Sequence, residues 1–386
     1  MNIFKTTALA CALIVSLASC KRDYKDSGTS LAPANISATD NFTTGPFAAA
    51  FASVDFSLGI PQAFTATFSE VVTWKIVLTG QTSNATKTIS ATSSVINVMN
   101  SAWTGNHDGL YFFETGETVT ADLIISGIPG AVSSITFTIL KAPNFRIPFA
   151  STTDFMLVNL NQAPSSVTWA DFETANTTNQ NLYPYLFNIG AKTYAVEQTD
   201  TIRAPEGKRF MRIIGTSTQP NGFFVGGLQC RVNGAASAPV FPASWTDPSQ
   251  LYMNVYVRGI DNLPAGCQPV AFLNFECHED DRGDLSQYLV NCNTYGAQDH
   301  FCPATEDSWV FKIAIKHVGW KLISIKYSDL YKSEDYANGG NGNQILEPQK
   351  VRRVQFGLVS SPPFNKVSAD FDFACFTYGA PFNPYK

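Results

Sequence analysis

Hydrophobic and polar residues alternate along most of the chain with a period of two. In TWKIVLTG, Trp74, Ile76 and Leu78 share one face. In TVTADLIISG the face is Val119, Ala121, Leu123 and Ile125, and in SITFTIL it is Ile135, Phe137 and Ile139. A period of two places every second side chain on the same side of an extended backbone, so each run predicts a half-buried strand. Gly80, Gly105, Gly116 and Gly127 punctuate the runs as turn residues. Short strands at such spacing predict a β-sandwich over residues 42–148.

KAPNFRIPFA, with Pro143 and Pro148, breaks the alternation and predicts a junction. Beyond it the strand phrases are KRFMRIIG, FFVGGLQCRV, LYMNVYVRG, VAFLNFECHE, SQYLVNCN, WVFKIAIKHV, WKLISIKYSDL, VRRVQFGLV and ADFDFACFTYG. Almost no helical periodicity interrupts them, which predicts two packed antiparallel sheets over residues 149–386. The chain is therefore expected to be all-β.

Alternation also assigns faces. In LYMNVYVRG, Leu251, Met253, Val255 and Val257 form the apolar side, and Tyr252, Asn254, Tyr256 and Arg258 the other. In VAFLNFECHE, Leu273, Phe275 and Cys277 turn inward and Asn274, Glu276 and His278 outward. In SQYLVNCN, Tyr288, Val290 and Cys292 group inward, with Gln287 and Asn291 opposite. Arg212 shares its face with Phe210. If these strands are neighbours, one outer surface carries aromatics among amides, carboxylates and cations. Sugar rings offer apolar CH faces that stack on such aromatics, and hydroxyls that need paired donors and acceptors. Arg212, Tyr252, Asn254, Tyr256, Arg258, Asn274, Glu276, His278, Gln287 and Asn291 are thus the candidate glycan contacts. The stretch NLYPYLFNIG, read as a loop, offers Tyr183, Tyr185 and Phe187 as an alternative platform. Trp103 and Tyr111 read as core or corner residues.

Of the 386 residues 45% are hydrophobic and only 15% charged, ample for a core and usual for exported β proteins. Net charge is −5 with no basic run after the leader, which argues against a nucleic-acid partner. Cys11 and Cys20 precede the globular part, and Cys230, Cys267, Cys277, Cys292, Cys302 and Cys375 all fall in the second half. In an exported chain these permit disulfides in several pairings. Cys277 and Cys292 lie on the core side of consecutive predicted strands and are the candidate pair, with free buried thiols as the alternative.

The chain opens MNIFKTTALACALIVSLASC, with Lys5 ahead of a short apolar run and small residues before Cys20. Leu17-Ala18-Ser19-Cys20 resembles the lipobox of bacterial lipoproteins. The resemblance implies a signal peptide over 1–19, cleavage before Cys20, and lipid on that residue as a membrane anchor. Residues 20–41 are polar and read as a flexible tether. Lys21 favours the outer membrane over the inner. The charges after Cys20 partly resemble the surface-export signal of Bacteroidota lipoproteins, which implies cell-surface exposure.

SAWTGNHDGLYFFETGE resembles bacterial immunoglobulin-like repeats. Asp171-Phe172-Glu173, APEGKRFMRIIG, GWKLISIKYSDL and DFDFACFTYG resemble strands of jelly-roll carbohydrate-binding modules with a galactose-binding-like fold. The whole chain thus resembles a surface glycan-binding lipoprotein: an immunoglobulin-like β-sandwich followed by a jelly-roll β-sandwich. That implies polysaccharide or oligosaccharide capture, an outer-membrane glycan transporter as partner, and a structural Ca²⁺ held by Glu173 and Asp372.

Catalysis is not expected. Glycoside hydrolysis uses two carboxylates across the scissile bond, whereas alternation sends Glu276 and Glu279 to opposite faces. There is no GxSxG elbow, and His107, His278, His300 and His317 have no Ser or Cys nucleophile beside them in sequence. A polysaccharide-degrading enzyme and a surface adhesin remain the alternative readings.

Overall fold

A computed structural model describes residues 43–143, 166–170, 183–185, 192–199, 201–216, 224–231, 241, 243–270, 272–280, 306–332, 342–360 and 366–383. Phe42–Ser126 and Gly130–Lys386 group as one compact unit, and Met1–Asn41 with Gly127–Pro129 as another. The described chain is almost entirely β, as the alternation predicts, and none of its helices is long and apolar enough to cross a membrane.

Six strands form sheet I: β1 (Thr43–Ala49), β2 (Ser53–Asp55), β3 (Phe64–Gly80), β4 (Thr86–Ile96), β5 (Thr118–Ile125) and β6 (Ser133–Lys141). Their order is β1-β3-β5-β6-β2, with β4 paired to β3. A one-turn helix, α1 (Val98–Ser101), follows β4. Trp74, Ile76, Leu78, Val119, Ala121, Leu123, Ile125, Phe137 and Ile139 are all buried, so the read faces are the core faces. At their centre Trp103 meets Phe56, Phe113 and Phe137 edge-on, with centroids 4.9, 4.8 and 5.9 Å away. Its indole N–H donates to the Asn106 carbonyl at 2.7 Å, which satisfies the one polar atom of that ring. Trp103 is a core residue.

Thirteen further strands make two sheets. They are β7 (Ser166–Ala170), β8 (Tyr183–Tyr185), β9 (Lys192–Glu197), β10 (Arg209–Thr216), β11 (Phe224–Arg231), β12 (Leu251–Arg258) and β13 (Gln268–Pro269). Then follow β14 (Phe272–Asp280), β15 (Glu306–Ile313), β16 (Trp320–Lys326), β17 (Tyr331–Lys332), β18 (Val351–Val359) and β19 (Lys366–Tyr378). Sheet II runs β16-β12-β19-β10-β9, with β7 and β13 also paired to β19. Sheet III runs β17-β15-β14-β18-β11-β8. Leu251, Met253, Val255 and Val257 of sheet II share one core with Leu273, Phe275, Cys277, Val354, Phe356 and Leu358 of sheet III. Burying this apolar set between two sheets is the main force holding them face to face.

Every strand phrase read beyond the junction is a strand except SQYLVNCN, which lies outside the described residues. One stretch differs. Tyr183–Tyr185, read as part of a loop, is strand β8, paired to β11 at the edge of sheet III. Pro184 lacks an N–H to donate, a residue suited to an edge strand with one free side.

Candidate functional site

The ten candidate glycan contacts do not form one surface. β12 is in sheet II and β14 in sheet III, so their outward residues lie on opposite outer faces of the sandwich. Within β12 and β14 the side chains read as outward do turn away from the shared core. The expectation that the strands are neighbours is corrected.

The β12 face is sealed. Tyr256 is 2% exposed, Asn254 0% and Arg258 4%, and Tyr252 is half-buried. Phe112, from the chain between α1 and β5, packs on this face with Tyr256, Phe373 and Cys375, flanked by Leu110, Trp320, Leu322 and Phe382. The Phe112 N–H donates to the Pro205 carbonyl at 3.0 Å, and Arg203 donates to the Thr82 carbonyl at 2.6 Å. The Arg203 guanidinium also lies 5.1 Å above the Tyr111 ring. Asn254 is consumed internally: its amide donates to Thr377 Oγ1 at 3.0 Å, and its Oδ1 accepts the Phe382 N–H at 3.0 Å.

The cations on this face are also committed. Arg212 grips Asp370 with two bonds of 2.6 and 2.7 Å, and Arg258 reaches the same carboxylate at 2.8 Å. Arg212 also covers the Phe210 ring, confirming their shared face. Arg212, Asn254, Tyr256 and Arg258 therefore build an internal joint, with no room for a sugar. A buried charge needs its counter-charge at hand, which is why one Asp serves two Arg here.

The side of sheet III turned away from the core is polar and also buried, with Glu276 4% and Gln355 2% exposed. Directly opposed residues in an antiparallel ladder lie on the same side of the sheet. The registers set Tyr331 beside Val310, Val310 beside Glu276, Glu276 beside Gln355, Gln355 beside Gln229, and Gln229 beside Tyr183. This cross-strand row thus runs from one tyrosine position to another through three polar positions. The adjacent row reads Lys312, Asn274, Gly357, Gly227 and Tyr185, and the next places Ser308, His278, Arg353 and Arg231 in line. At the β17 margin Tyr331 is 42% exposed, and Lys312 holds its ammonium 5.0 Å from the Phe272 ring.

Glu276 is the hub. Its Oε1 accepts the Asn274 amide at 3.2 Å and its Oε2 the Gln355 amide at 2.9 Å. His278 Nε2 stands 3.6 Å from Glu276 and its Nδ1 3.9 Å from Glu306. Asn274, Glu276 and His278 are all buried, while Asn274 Oδ1 and Ser308 Oγ have no hydrogen-bond partner among the described residues. Gln287 and Asn291 lie outside the described residues. Sequence reading missed Gln355, Ser308 and Tyr331. Alternation in VRRVQFGLV would have found Gln355 opposite to Val354 and Phe356. Tyr331 carried no signal, because a two-residue edge strand has no period.

Two further expectations reach outside the described residues. Cys277 is a buried thiol, free among the described residues, and Cys292, its candidate disulfide partner, lies outside them. Burial pushes the Cys277 thiol well up, which keeps it inert. Glu173 also lies outside the described residues. Asp372 accepts the Glu206 N–H at 2.9 Å on one oxygen and the Phe373 N–H at 2.9 Å on the other. Among the described residues no group of three or more His, Cys, Asp or Glu is placed to hold a metal ion, and the expected Ca²⁺ pairing turns on Glu173 as well.

The fold and the row define a β-sandwich module whose second sheet carries a polar row beside Tyr331, joined to a smaller β module. No protein-family model matches the chain, and no curated protein does. Among solved structures it is similar to a family 11 carbohydrate-binding module from Clostridium thermocellum in complex with a β-1,3-1,4-mixed-linked tetrasaccharide. That match has 11% identity and a TM-score of 0.30, covering 52% of this chain and 95% of that one. A carbohydrate-binding module of the β-sandwich superfamily matches at 12% identity and a TM-score of 0.30, over 86% of this chain and 96% of its own. An arabinose-bound α-L-arabinofuranosidase matches at 9% identity and a TM-score of 0.28, over 59% of this chain and 26% of its own. At such values the geometry of the row, not the likeness, bears on function.

Proposed function

We propose that the chain is a lipid-anchored outer-membrane surface protein that captures extracellular glycan without cleaving it. The cross-strand row on sheet III carries this reading: it runs from the exposed Tyr331 past Val310 to the buried Glu276 and Gln355. An exposed aromatic ring suits a sugar face, and a carboxylate with an amide beside it suits hydroxyls that both donate and accept. Cys20 supplies the anchor, residues 20–41 the tether, and an outer-membrane glycan transporter is the partner to which captured polymer passes. A non-catalytic role fits the carboxylates: Glu276 is held by two amides on the outward side, while Glu279 bonds Trp309 and Tyr327 on the core side.

The test is titration of the lipid-free chain from Lys21 against a polysaccharide panel, by affinity gel and then calorimetry. Saturable binding with no new reducing ends, weakened about ten-fold or more in Glu276→Ala or Tyr331→Ala, is the expected result. Binding to none of a broad panel would sink the glycan reading in favour of an adhesin, and accumulating reducing ends would mean an enzyme. Anchoring is read separately, as loss of membrane association in Cys20→Ala cells.

A further inference from the structure

Glu279 lies at the end of β14 with its side chain on the core side, 1% exposed. Its Oε1 accepts the Tyr327 hydroxyl at 2.7 Å and the Glu347 N–H at 2.7 Å, and its Oε2 accepts the Trp309 indole N–H at 2.9 Å. Those donors come from three places: strand β15, the 3₁₀ turn Tyr327–Asp329, and the 343–350 segment that leads into β18. The same segment is held a second time, by Asp307 Oδ2 accepting the Gln344 N–H at 2.7 Å. One carboxylate therefore fastens three elements at one end of the sandwich.

Proton uptake changes what that carboxylate can do. Ionised, it is purely an acceptor, and each bond to it is charge-assisted. Protonated, one oxygen must become a donor. The indole and the Glu347 N–H can only donate, so the Tyr327 hydroxyl is the group that can turn to accept. The proton then sits on Oε1, and the site holds no buried charge; once ionised, the carboxylate lies out of water beside Asp307, and letting water in at the 343–350 segment relieves that cost.

We propose that Glu279 is a proton-operated clasp, holding the 343–350 segment to the sandwich when protonated and loosening it when ionised. Burial is the largest influence on this carboxyl and raises it to about 7, against the three hydrogen bonds that pull it down, so the change falls near neutral pH. The titratable or charged groups around it are Cys277 on its own strand, Asp307 on β15, Tyr327 on the 3₁₀ turn, and Glu347 and Lys350 on the segment. Lys350 is paired with Glu347 at 2.5 Å, so its charge is answered within the segment.

Hydrogen exchange read by mass spectrometry on the chain from Lys21 tests this, at pH 8 and pH 5.5 after correction for intrinsic exchange rates. Protection of the peptide spanning 343–350 should fall about ten-fold at the higher pH, the factor linkage gives one pH unit above the transition, while β5 stays unchanged. Glu279→Gln should give the high value at both. Tyr327→Phe removes a donor that favours the ionised form, so it should move the transition to higher pH. Equal protection of the wild type at both pH values would overturn the proposal. So would a pH response surviving in Glu279→Gln, or a transition unmoved in Tyr327→Phe.

Discussion

Phe112 meets Tyr256 edge-on, ring centroids 6.0 Å apart and planes at 81°, and the pair joins the first module to the sandwich. The same phenylalanine lies parallel to Phe382, with planes 2° apart. Truncating Phe112 to Ala opens a cavity among Tyr256, Phe373 and Phe382. It should cost about 3–5 kcal/mol in urea unfolding. Tyr256→Ala should likewise lower stability while leaving polysaccharide affinity unchanged, since Tyr256 and Glu276 lie on opposite outer faces. Equal loss of affinity in Tyr256→Ala and Glu276→Ala would return the site to sheet II.

Asp370 answers Arg212 and Arg258 together. Asp370→Ala should therefore destabilise by about 3–5 kcal/mol, more than the loss of a single surface pair, because two guanidinium groups are left in a buried place. Asp370→Ala combined with Arg212→Met should recover part of that loss. A double-mutant cycle on thermal unfolding reads the coupling, and strict additivity would contradict the shared carboxylate.

Stability should depend on pH through two groups of opposite sign. Burial lowers His107 to about 4, so the neutral ring is favoured in the fold. Its contribution is intact above the ordinary histidine value and is lost as pH falls toward 4. Burial raises Glu279 to about 7, so its contribution is intact below the ordinary glutamate value and is lost as pH rises through 7. Each shift corresponds to about 3 kcal/mol. The slopes oppose one another between pH 4.5 and pH 6.5, and the wild type should show a shallow profile there. Urea midpoints across pH 4–8 should fall with rising pH in His107→Asn and rise with it in Glu279→Gln.

Glu117 closes the turn between β3 and β4. It accepts the Ser83 N–H at 3.1 Å, the Ser83 hydroxyl at 2.9 Å and the Thr82 N–H at 3.3 Å. A Cβ at Gly80 would lie 2.3 Å from Ser83 Oγ and 2.5 Å from Glu117 Oε2. Glu117→Ala should cost about 2–3 kcal/mol, measured by calorimetry, as buried donors lose their acceptor. Gly80→Ala should be destabilising too, by forcing that carboxylate aside.

Period-two patterning made most of the fold legible in sequence. It worked where one face meets a core, as at Trp74, Ile76 and Leu78 or at Met253, Val255 and Val257. It failed where no such contrast exists. β4, TKTISATSSVI, is exposed or half-buried until Ile96 and offers little apolar alternation, so only its pairing with β3 declares it a strand. β8 is too short for any period and reads as an aromatic loop. The candidate site was half legible, because alternation tells which way a side chain points and not which sheet its strand joins. Tyr256 and Glu276 both point away from the core, yet one meets Phe112 and the other Gln355. That difference is set by long-range pairing and by a second module packing on the first face, neither of which leaves a local trace. Asp370 gave no warning either, since its partners lie far off in the chain.

The seal at Phe112 has a mechanical consequence. Two β modules strung on a loose hinge would dissipate any pull, each turning freely before the other felt it. Here the apolar wedge, the Arg203 bond to Thr82 and the indole of Trp320 donating to the Arg203 carbonyl cross or brace the same seam. A load on the sandwich would therefore pass through that seam into sheet I instead of being spent in free turning of one module about the other.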